Sequence, residues 1–392
     1  MTAADRADGK VEIGFRGLLA RHDFNLLIDA VRGAGYALIG PTVENGAVVY
    51  QEIETDEALP EGIATQQGPG INRIGARGDK ALFGYVSGAQ SWRPFLFQPS
   101  RTLWRAQKTG DDIVIDLPSD ETPQLAFLGM RACELSAIDL QDKALMHNDM
   151  PDPDYSQRRS KALFIAVNCG TAGENCFCVS TGTGPGVERG FDIALTELLD
   201  DRRHDFLVDV GSDAGATIAA QLPLHAAEAA DLKEAESVVG ETARSMGRHL
   251  EMDGLKEILQ GNQAHAHWST VGDKCLACSN CTLVCPTCFC HTTEDVTDLD
   301  GAAAERHQRW DSCFSLEFSH LHGGSVRPSV ASRYRQWMTH KLAHWVDQFG
   351  SAGCVGCGRC ITWCPAGIDI TEEAAALRQS LEGSQEHEDQ NT

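Results

Sequence analysis

Cysteine spacing constrains this chain more than any other feature of its sequence. Two stretches, 275–286 and 354–365, repeat one pattern: four cysteines separated by two, two and three residues, with proline after the fourth. The pattern is typical of [4Fe-4S] sites in two-cluster ferredoxins, where the first three cysteines of a run hold one cluster and the fourth holds the other. The proline suits a helix start, because it fixes φ and has no N–H to satisfy.

Crossed ligation assigns eight cysteines to two [4Fe-4S] clusters. The predicted ligands of cluster 1 are Cys275, Cys278, Cys281 and Cys364. Those of cluster 2 are Cys354, Cys357, Cys360 and Cys285. Zinc is the alternative, since paired C-x2-C motifs also bind zinc. Zinc gives no reason for two copies of a run that ends in Cys-Pro, so the repeat favours iron–sulfur clusters.

Four further cysteines lie in the N-terminal half and are candidate ligands of a third [4Fe-4S] cluster. They are Cys133, Cys169, Cys176 and Cys178. The first two each follow an apolar segment that we predict to be a buried strand, and binding sites of α/β sheets lie at strand ends. A zinc site and four separate buried thiols remain the alternatives at this point.

The last three of the 15 cysteines are not assigned as ligands. They are Cys288, Cys290 and Cys313. We expect them to line the cluster pocket and to tune the potential through contacts with the ligands. A separate metal site, completed by Asp311 or His291, stays open as the alternative.

The charge balance excludes several classes of partner. With 33 basic and 56 acidic residues, the formal net charge is −23, which opposes binding to nucleic acid or to an anionic membrane surface. Residues 1–14 are polar and lack the apolar segment of a signal peptide, and no apolar run reaches the length of a membrane span. We therefore expect a cytoplasmic protein whose cysteines bind metal rather than form disulfides.

The sequence contains no motif for nucleotide binding or for catalysis. Neither a Walker A sequence nor the G-x-G-x-x-G spacing of a dinucleotide site occurs. No Ser/His/Asp order or carboxylate pair indicates a catalytic centre. We therefore predict no catalytic residues in this chain, and no flavin or nucleotide site of its own.

Hydrophobic patterning predicts an α+β protein. An N-terminal α/β region, 1–262, with a subdivision near 120, is followed by a mainly helical, ferredoxin-like dicluster domain at 263–379. The insert between the two cysteine runs of this domain is predicted to be long and helical. Residues 380–392 form an acidic tail that we expect to be disordered. Strands are predicted at 36–39, 47–53, 81–86, 95–97, 111–117, 124–129, 162–167, 191–199 and 206–210. Helices are predicted at 15–32, 134–145, 226–260 and 329–348, and loops at 54–80.

Several longer motifs resemble those of one family. They are Met130-Arg-Ala-Cys-Glu-Leu, Asn168-Cys169, Glu174-Asn-Cys-Phe-Cys178, Cys285-Pro-Thr-Cys-Phe-Cys290, Arg309-Trp-Asp-Ser-Cys313 and Cys354-Val-Gly-Cys-Gly-Arg-Cys360. Over roughly residues 80–370 the chain resembles the β subunit of sulfhydrogenase, the 4Fe-4S subunit of cytoplasmic NAD(P)-linked [NiFe] hydrogenases. It is similar also to the corresponding iron–sulfur subunit of anaerobic sulfite reductase, which shares the architecture.

The resemblance implies an electron-transfer subunit without substrate chemistry of its own. In such complexes a neighbouring subunit carries FAD and a [2Fe-2S] cluster and exchanges hydride with NAD(P)H, while the hydrogenase small and large subunits carry the Ni-Fe site. This chain would pass single electrons between them. Two alternatives stay open: the electron-transfer subunit of a sirohaem sulfite reductase, and an interaction module whose metal is purely structural.

Overall fold

The computed structural model describes residues 11–118 and 122–389 and has the α+β class that the sequence predicts. Its strands are β1 (Arg16–Ala20), β2 (Ala37–Glu44), β3 (Ala47–Glu52), β4 (Ile63–Gly68), β5 (Ile71–Ala76), β6 (Ser100–Thr109), β7 (Asp112–Asp116), β8 (Leu125–Met130), β9 (Leu163–Val167), β10 (Ile193–Leu199), β11 (His204–Val210), β12 (His225–Ala226), β13 (His291–Thr297), β14 (Ala303–Trp310), β15 (His320–Leu321) and β16 (Gly324–Ser325).

The helices are α1 (Phe24–Gly33), α2 (Arg93–Leu96), α3 (Ala132–Leu145), α4 (Pro153–Ser160), α5 (Asp213–Ala219), α6 (Ala229–Arg244), α7 (Leu255–Gly261), α8 (His267–Lys274), α9 (Asn280–Leu283), α10 (Val330–Thr339), α11 (Trp345–Phe349), α12 (Arg359–Thr362) and α13 (Ile370–Asp389). A π-helical turn, His340–His344, joins α10 to α11 without a break. Single π-turns of this kind occur mostly inside α-helices and are frequent at functional sites.

The largest sheet has the strand order β12-β1-β11-β10-β9-β8-β2-β3. Its four central strands, from β10 to β2, are parallel, and the strands toward both edges are antiparallel. Both faces are buried, since Ile165 and Val167 of β9 enter one core while Phe164 and Ala166 enter another. Because β8 and β9 are parallel, their carboxyl ends meet at one edge of the sheet.

Aromatic side chains fill the two layers on either face of this sheet. On one face the ring of Phe24, from α1, lies 4.6 Å from the ring of Phe206. On the other face Phe127 lies 5.0 Å from Trp92 and 5.7 Å from Phe164, beneath α3 and α4. Burial of each large apolar side chain contributes about 1.5–3 kcal/mol, so the sheet is a firm platform for the loops at its edge.

A second sheet, β13-β14-β6-β7, joins two parts of the chain that are far apart in sequence. Strand β14, from between the cysteine runs, pairs antiparallel with β6. The insert that we predicted to be helical is therefore a β-hairpin in its first half, and its main helical segment begins only at Val330. The β-branched residues Thr292, Thr293, Val296 and Thr297 favour the strand that pattern reasoning missed.

The two cysteine runs enclose a hydrophobic core of their own. It is formed mainly by α7, α8, α10 and α13, and its largest buried side chains are Trp268, Phe314, Tyr334, Trp337 and Met338. Cysteines of both runs pack against this core. The thiols are therefore shielded from water on their inner side.

The predicted helix at 15–32 is wrong at its start. Arg16–Ala20 forms the strand β1, and the helix begins at Phe24 after a short 3₁₀ turn. The apolar pair Leu18-Leu19 belongs to that strand, which pairs with β11 and β12. Only the residues from Phe24 onward follow the helical period, and the gap in apolar residues before Phe24 marks the true boundary.

Two predicted strands are absent for different reasons. Residues 81–86 are buried but form no strand, because the N–H groups of Leu82 and Phe83 donate to the Glu197 carboxylate at 2.7 and 3.0 Å. A side chain thus satisfies backbone groups that a strand would have paired. Residues 95–97 lie at the end of α2, where Pro94 favours a helix start.

Two further segments depart from prediction where they meet the cysteines. The loop predicted at 54–80 contains the hairpin β4–β5, and the N–H of Gly70 in its turn donates to the Ile361 carbonyl at 3.0 Å. The helix predicted at 226–260 is broken between α6 and α7, where the N–H of Arg248 donates to the Cys176 carbonyl at 2.9 Å. Both departures place backbone against a cysteine-bearing segment.

The acidic tail predicted to be disordered begins as a helix. α13 continues through Asp389, in keeping with the Glu, Gln and Leu residues of this segment. Residues 390–392 and the polar residues 1–10 lie outside the described residues. Among those described, no helix combines the length and hydrophobicity needed to cross a membrane.

Candidate metal centres

The two cysteine runs fold in the same way. In each, the residues before and after the second cysteine have a left-handed backbone: φ is 50° at Ala277 and 67° at Ser279, and 60° at Gly356 and 71° at Gly358. A short helix follows in both cases, α9 in the first run and α12 in the second. Alternating conformations of this kind turn successive N–H groups toward one side and form a concave site for anions such as Fe–S clusters.

The first run maintains this conformation at an energetic cost. A left-handed backbone costs about 1–2 kcal/mol per non-glycine residue, and both Ala277 and Ser279 bear it. In return the N–H of Ala277 donates to the Sγ of Cys275 at 3.4 Å. Strain of this kind persists where the surroundings over-determine it and is concentrated at functional sites.

The four thiols predicted for cluster 1 line one cavity. They are Cys275, Cys278, Cys281 and Cys364, the last contributed by the second run. Phe314, Tyr334 and Trp337 also line this cavity, and Cys278 is exposed at its rim. Across the described part of the chain, no three His, Cys, Asp or Glu side chains are close enough to hold a single ion. These thiols are instead spread around a space that suits a cluster.

The thiol of Cys285 lies with the second run. Burial and then the charges of Cys354, Cys357, Cys285 and Cys281 raise the pKa of Cys360, so Cys285 is close enough to the second run to act on its thiols, as is Cys281. Burial raises the pKa of Cys354 to about 12. Such a thiol is protonated at neutral pH unless a cation is present, so a bound metal must displace its proton. The structure thus places the fourth cysteine of each run with the other run.

The four cysteines of the N-terminal half line a second cavity. They are Cys133, Cys169, Cys176 and Cys178. The large sheet brings them together, because Cys133 follows β8, Cys169 follows β9, and the other two lie in the next loop. Burial raises the pKa of Cys176 to about 12. These thiols therefore form a third set, not four separate buried side chains.

Backbone contacts join the third set directly to the second run. The N–H of Phe177 donates to the Gly356 carbonyl at 2.8 Å, and Asn175 Nδ2 donates to Thr362 Oγ1 at 2.8 Å. Cys357 lines the cavity of the third set, and Cys360 lines the cavity of the first. The second run is consequently adjacent to both of the other sets.

A buried ion pair lies beside the second and third sets. Arg359 and Glu134 are each 1% exposed and hydrogen-bond to each other. Glu134 also accepts from Trp92 Nε1 at 2.9 Å and from the N–H of Arg131 at 3.0 Å, and Arg359 donates to the Gly88 carbonyl at 3.0 Å. Buried charges require such partners. Sequence reasoning missed this pair, although Glu134 and Arg359 each adjoin a cysteine motif.

The unassigned cysteines lie near Cys285 and Cys281. The interaction with the neighbouring Cys288 thiol and the nearby charge of Lys341 lower the pKa of Cys285 well below its usual range. Cys290 and Cys313 lie beside each other, and their interaction lowers the pKa of Cys290 and raises that of Cys313. The buried Arg93 lies beside these cysteines and donates to four carbonyl oxygens at 2.9–3.1 Å. The acceptors belong to Thr282, Leu283, Cys285 and Cys288.

Lys341 is a second residue that sequence reasoning missed. It comes from the π-helical turn, is only 6% exposed, and donates to Cys285 Sγ at 3.1 Å. Burial alone lowers the pKa of Lys341, but the neighbouring charges of Cys285 and Cys288 raise it above its usual value. One signal was available in the sequence: position 341 falls on the apolar stripe of Trp337 and Trp345, where a lysine is out of place.

Comparison with known proteins identifies the family. Residues 274–368 match the model of the 4Fe-4S dicluster domain, which spans both cysteine runs. The chain is also 32% identical over 292 residues to sulfhydrogenase 2 subunit beta of Pyrococcus furiosus, covering 74% of this chain and 83% of that protein. The chain belongs to the sulfhydrogenase β-subunit family. No solved structure matches it.

Membership of the sulfhydrogenase β-subunit family confirms the resemblance drawn from the cysteine-containing motifs. The dicluster match confirms that the two runs belong to an iron–sulfur domain, and the chain is an iron–sulfur electron-transfer subunit of this type. The third thiol set lies outside the matched residues.

We expect Gly356→Ala to lower the free energy of unfolding by more than about 3 kcal/mol, because left-handed strain adds to overpacking. A Cβ at this position would lie 2.5 Å from the backbone nitrogen of Cys178. Gly350 is the matched control: its φ is +73°, with no atom within 4 Å of the corresponding Cβ, so Gly350→Ala should cost about 1–2 kcal/mol. Denaturant unfolding measures both, and equal losses would contradict close packing of the second run on the third set.

Proposed function

We propose that this protein is the electron-transfer subunit of a cytoplasmic NAD(P)-linked [NiFe] hydrogenase. It passes single electrons between a flavin subunit, which carries FAD and a [2Fe-2S] cluster and reacts with NAD(P)H, and the small and large hydrogenase subunits. The observation that carries the proposal is that three thiol sets are linked through the second run, whose Cys360 and Cys357 line the cavities of the other two sets. Redox centres linked in this way provide a path through the chain, whereas a structural metal site requires no such link.

The placement of the thiols supports the proposed ligands. Cluster 1 is held by Cys275, Cys278, Cys281 and Cys364, which share one cavity. Cluster 2 is held by Cys354, Cys357, Cys360 and Cys285, whose sulfurs are neighbours. A third [4Fe-4S] cluster is held by Cys133, Cys169, Cys176 and Cys178 at the edge of the large sheet.

The residues around the thiols determine how such centres work. A bound [4Fe-4S] cluster takes up and releases one electron, and its potential depends on burial, charge and hydrogen bonds to sulfur. In this chain the N–H groups of Ala277 and Ile368 donate to Cys275 Sγ and Cys364 Sγ at 3.4 and 3.3 Å. The apolar wall of Phe314 and Trp337 excludes water from the inner side. These contacts fix the geometry, so little rearrangement accompanies electron transfer.

Purification of the native complex tests the proposed assignment. We expect this chain to co-purify with nickel, FAD and NAD(P)H-dependent hydrogenase activity, because its redox centres connect those two modules. The absorbance of sirohaem in place of nickel would assign the chain to a sulfite reductase. If dithionite produced no EPR signal of a reduced [4Fe-4S] cluster, the metal would be structural and electron transfer would be ruled out.

Paired substitutions test crossed ligation. We expect Cys364→Ala and Cys278→Ala to remove the same EPR signal and about four iron atoms each, since both thiols face one cavity. Cys285→Ala and Cys357→Ala, made separately, should both remove a second, different EPR signal. If Cys364→Ala instead matched Cys357→Ala, each run would hold its own cluster and the crossed assignment would be wrong.

A double substitution tests the third cluster. We expect Cys176→Ala with Cys178→Ala to lower the iron content by about four atoms per chain, because these thiols line the same cavity as Cys133. The matched control is Cys290→Ala with Cys313→Ala, which removes two partly buried thiols that we do not assign as ligands. Unchanged iron in the first variant would contradict a third cluster, and iron loss in the control would locate metal at Cys290 and Cys313.

A further inference from the structure

The fourth cysteines of the two runs occupy equivalent positions but accept different hydrogen bonds. Cys364 Sγ accepts from the backbone N–H of Ile368 at 3.3 Å. Cys285 Sγ accepts from the side-chain Nζ of Lys341 at 3.1 Å. A neutral donor is thus present at one site and an ammonium group at the other. The two runs are alike in backbone and unlike in charge.

The contacts of Lys341 match those of an ammonium group. Besides Cys285 Sγ, it donates to Thr287 Oγ1 at 2.7 Å and to the Gly353 carbonyl at 3.2 Å. The Thr287 hydroxyl itself donates to Gly353 at 2.8 Å, so its oxygen is free to accept from Lys341. Three acceptors therefore face the three N–H donors of a protonated lysine.

Burial strengthens the electrostatic effect of the Lys341 ammonium group on its neighbours. Lys341 is 6% exposed, and none of its three hydrogen-bond partners is a carboxylate. An isolated buried ammonium group is costly, and its attraction to a negative charge is larger in the protein interior than in water. A thiolate-ligated cluster becomes more negative when it accepts an electron. The nearest group able to compensate Lys341 is therefore the cluster held by Cys285.

We propose that Lys341 raises the reduction potential of the cluster held by Cys285 and makes it the higher-potential member of the ferredoxin-like pair. A positive charge beside the ligand stabilises the reduced state more than the oxidised one. Near the other cluster, Arg333 donates to the carbonyls of Arg327 and Pro328 at 3.3 and 3.0 Å. Its hydrogen bonds therefore hold a backbone turn, not a cluster sulfur. An electron that enters the pair resides at the Cys285 cluster.

A redox titration followed by EPR tests this role in the full chain, purified anaerobically with its clusters. We expect Lys341→Met to lower the reduction potential of one cluster by at least about 59 mV, which is a tenfold change in the equilibrium constant of a one-electron reduction. Lys341→Arg keeps the charge and should leave that potential near its original value. Lys143→Met is the matched control, because Lys143 donates to Phe349 and Ser351 and to no sulfur.

The outcomes separate this inference from the proposed function, on which it rests. Unchanged potentials in Lys341→Met with full iron content would overturn the role of Lys341 and leave electron transfer intact, whereas the absence of any reducible cluster would overturn the function itself. If Lys341→Met lost iron, the potentials of the two clusters in the unsubstituted chain would be compared instead. Cys278→Ser would mark the signal of cluster 1, and a higher potential for that cluster than for the Cys285 cluster would overturn the inference.

Discussion

Close backbone packing around the second cysteine run holds the rest of the structure in place. On one side the segment 174–178 lies against Gly356 and Gly358, where any side chain would overlap it. On another side Gly70 approaches the Cys364 carbonyl so closely that a Cβ would lie 2.8 Å from it. Glycine is the residue that permits both the left-handed backbone and these approaches. The run is consequently clamped between the N-terminal sheet region and its own helical core.

The same arrangement explains why the protein is larger than a minimal ferredoxin. The large sheet supplies the third thiol set from the ends of β8 and β9, and the pairing of β6 with β14 ties the insert between the runs to the N-terminal half. Buried cations then lie where thiols gather, as Arg359, Arg93 and Lys341 show. The N-terminal region thus packs against the cysteine runs and is not an appended domain.

Much of the candidate site could be predicted from sequence because cysteine spacing is a local signal. The positions of Cys133 and Cys169 were predictable because the apolar strands that precede them are local signals as well. What escaped prediction depends on contacts distant in sequence. The buried segment that contains Leu82 is held by a carboxylate more than a hundred residues away, and Lys341 acquires its role only when Cys285 folds beside it. Periodicity within one window cannot report such partners.

The interlocking of distant segments also bears on how the protein is made. Phe177 pairs with Gly356, Gly70 with Ile361, and Cys285 neighbours Cys354, so the thiol sets of clusters 1 and 2 are completed only by the second run. Structure of this kind, rich in contacts between distant residues, forms late and slowly. A chain truncated before residue 354 would therefore lack four of the eight thiols of the two runs and would keep all four cysteines of the third set only.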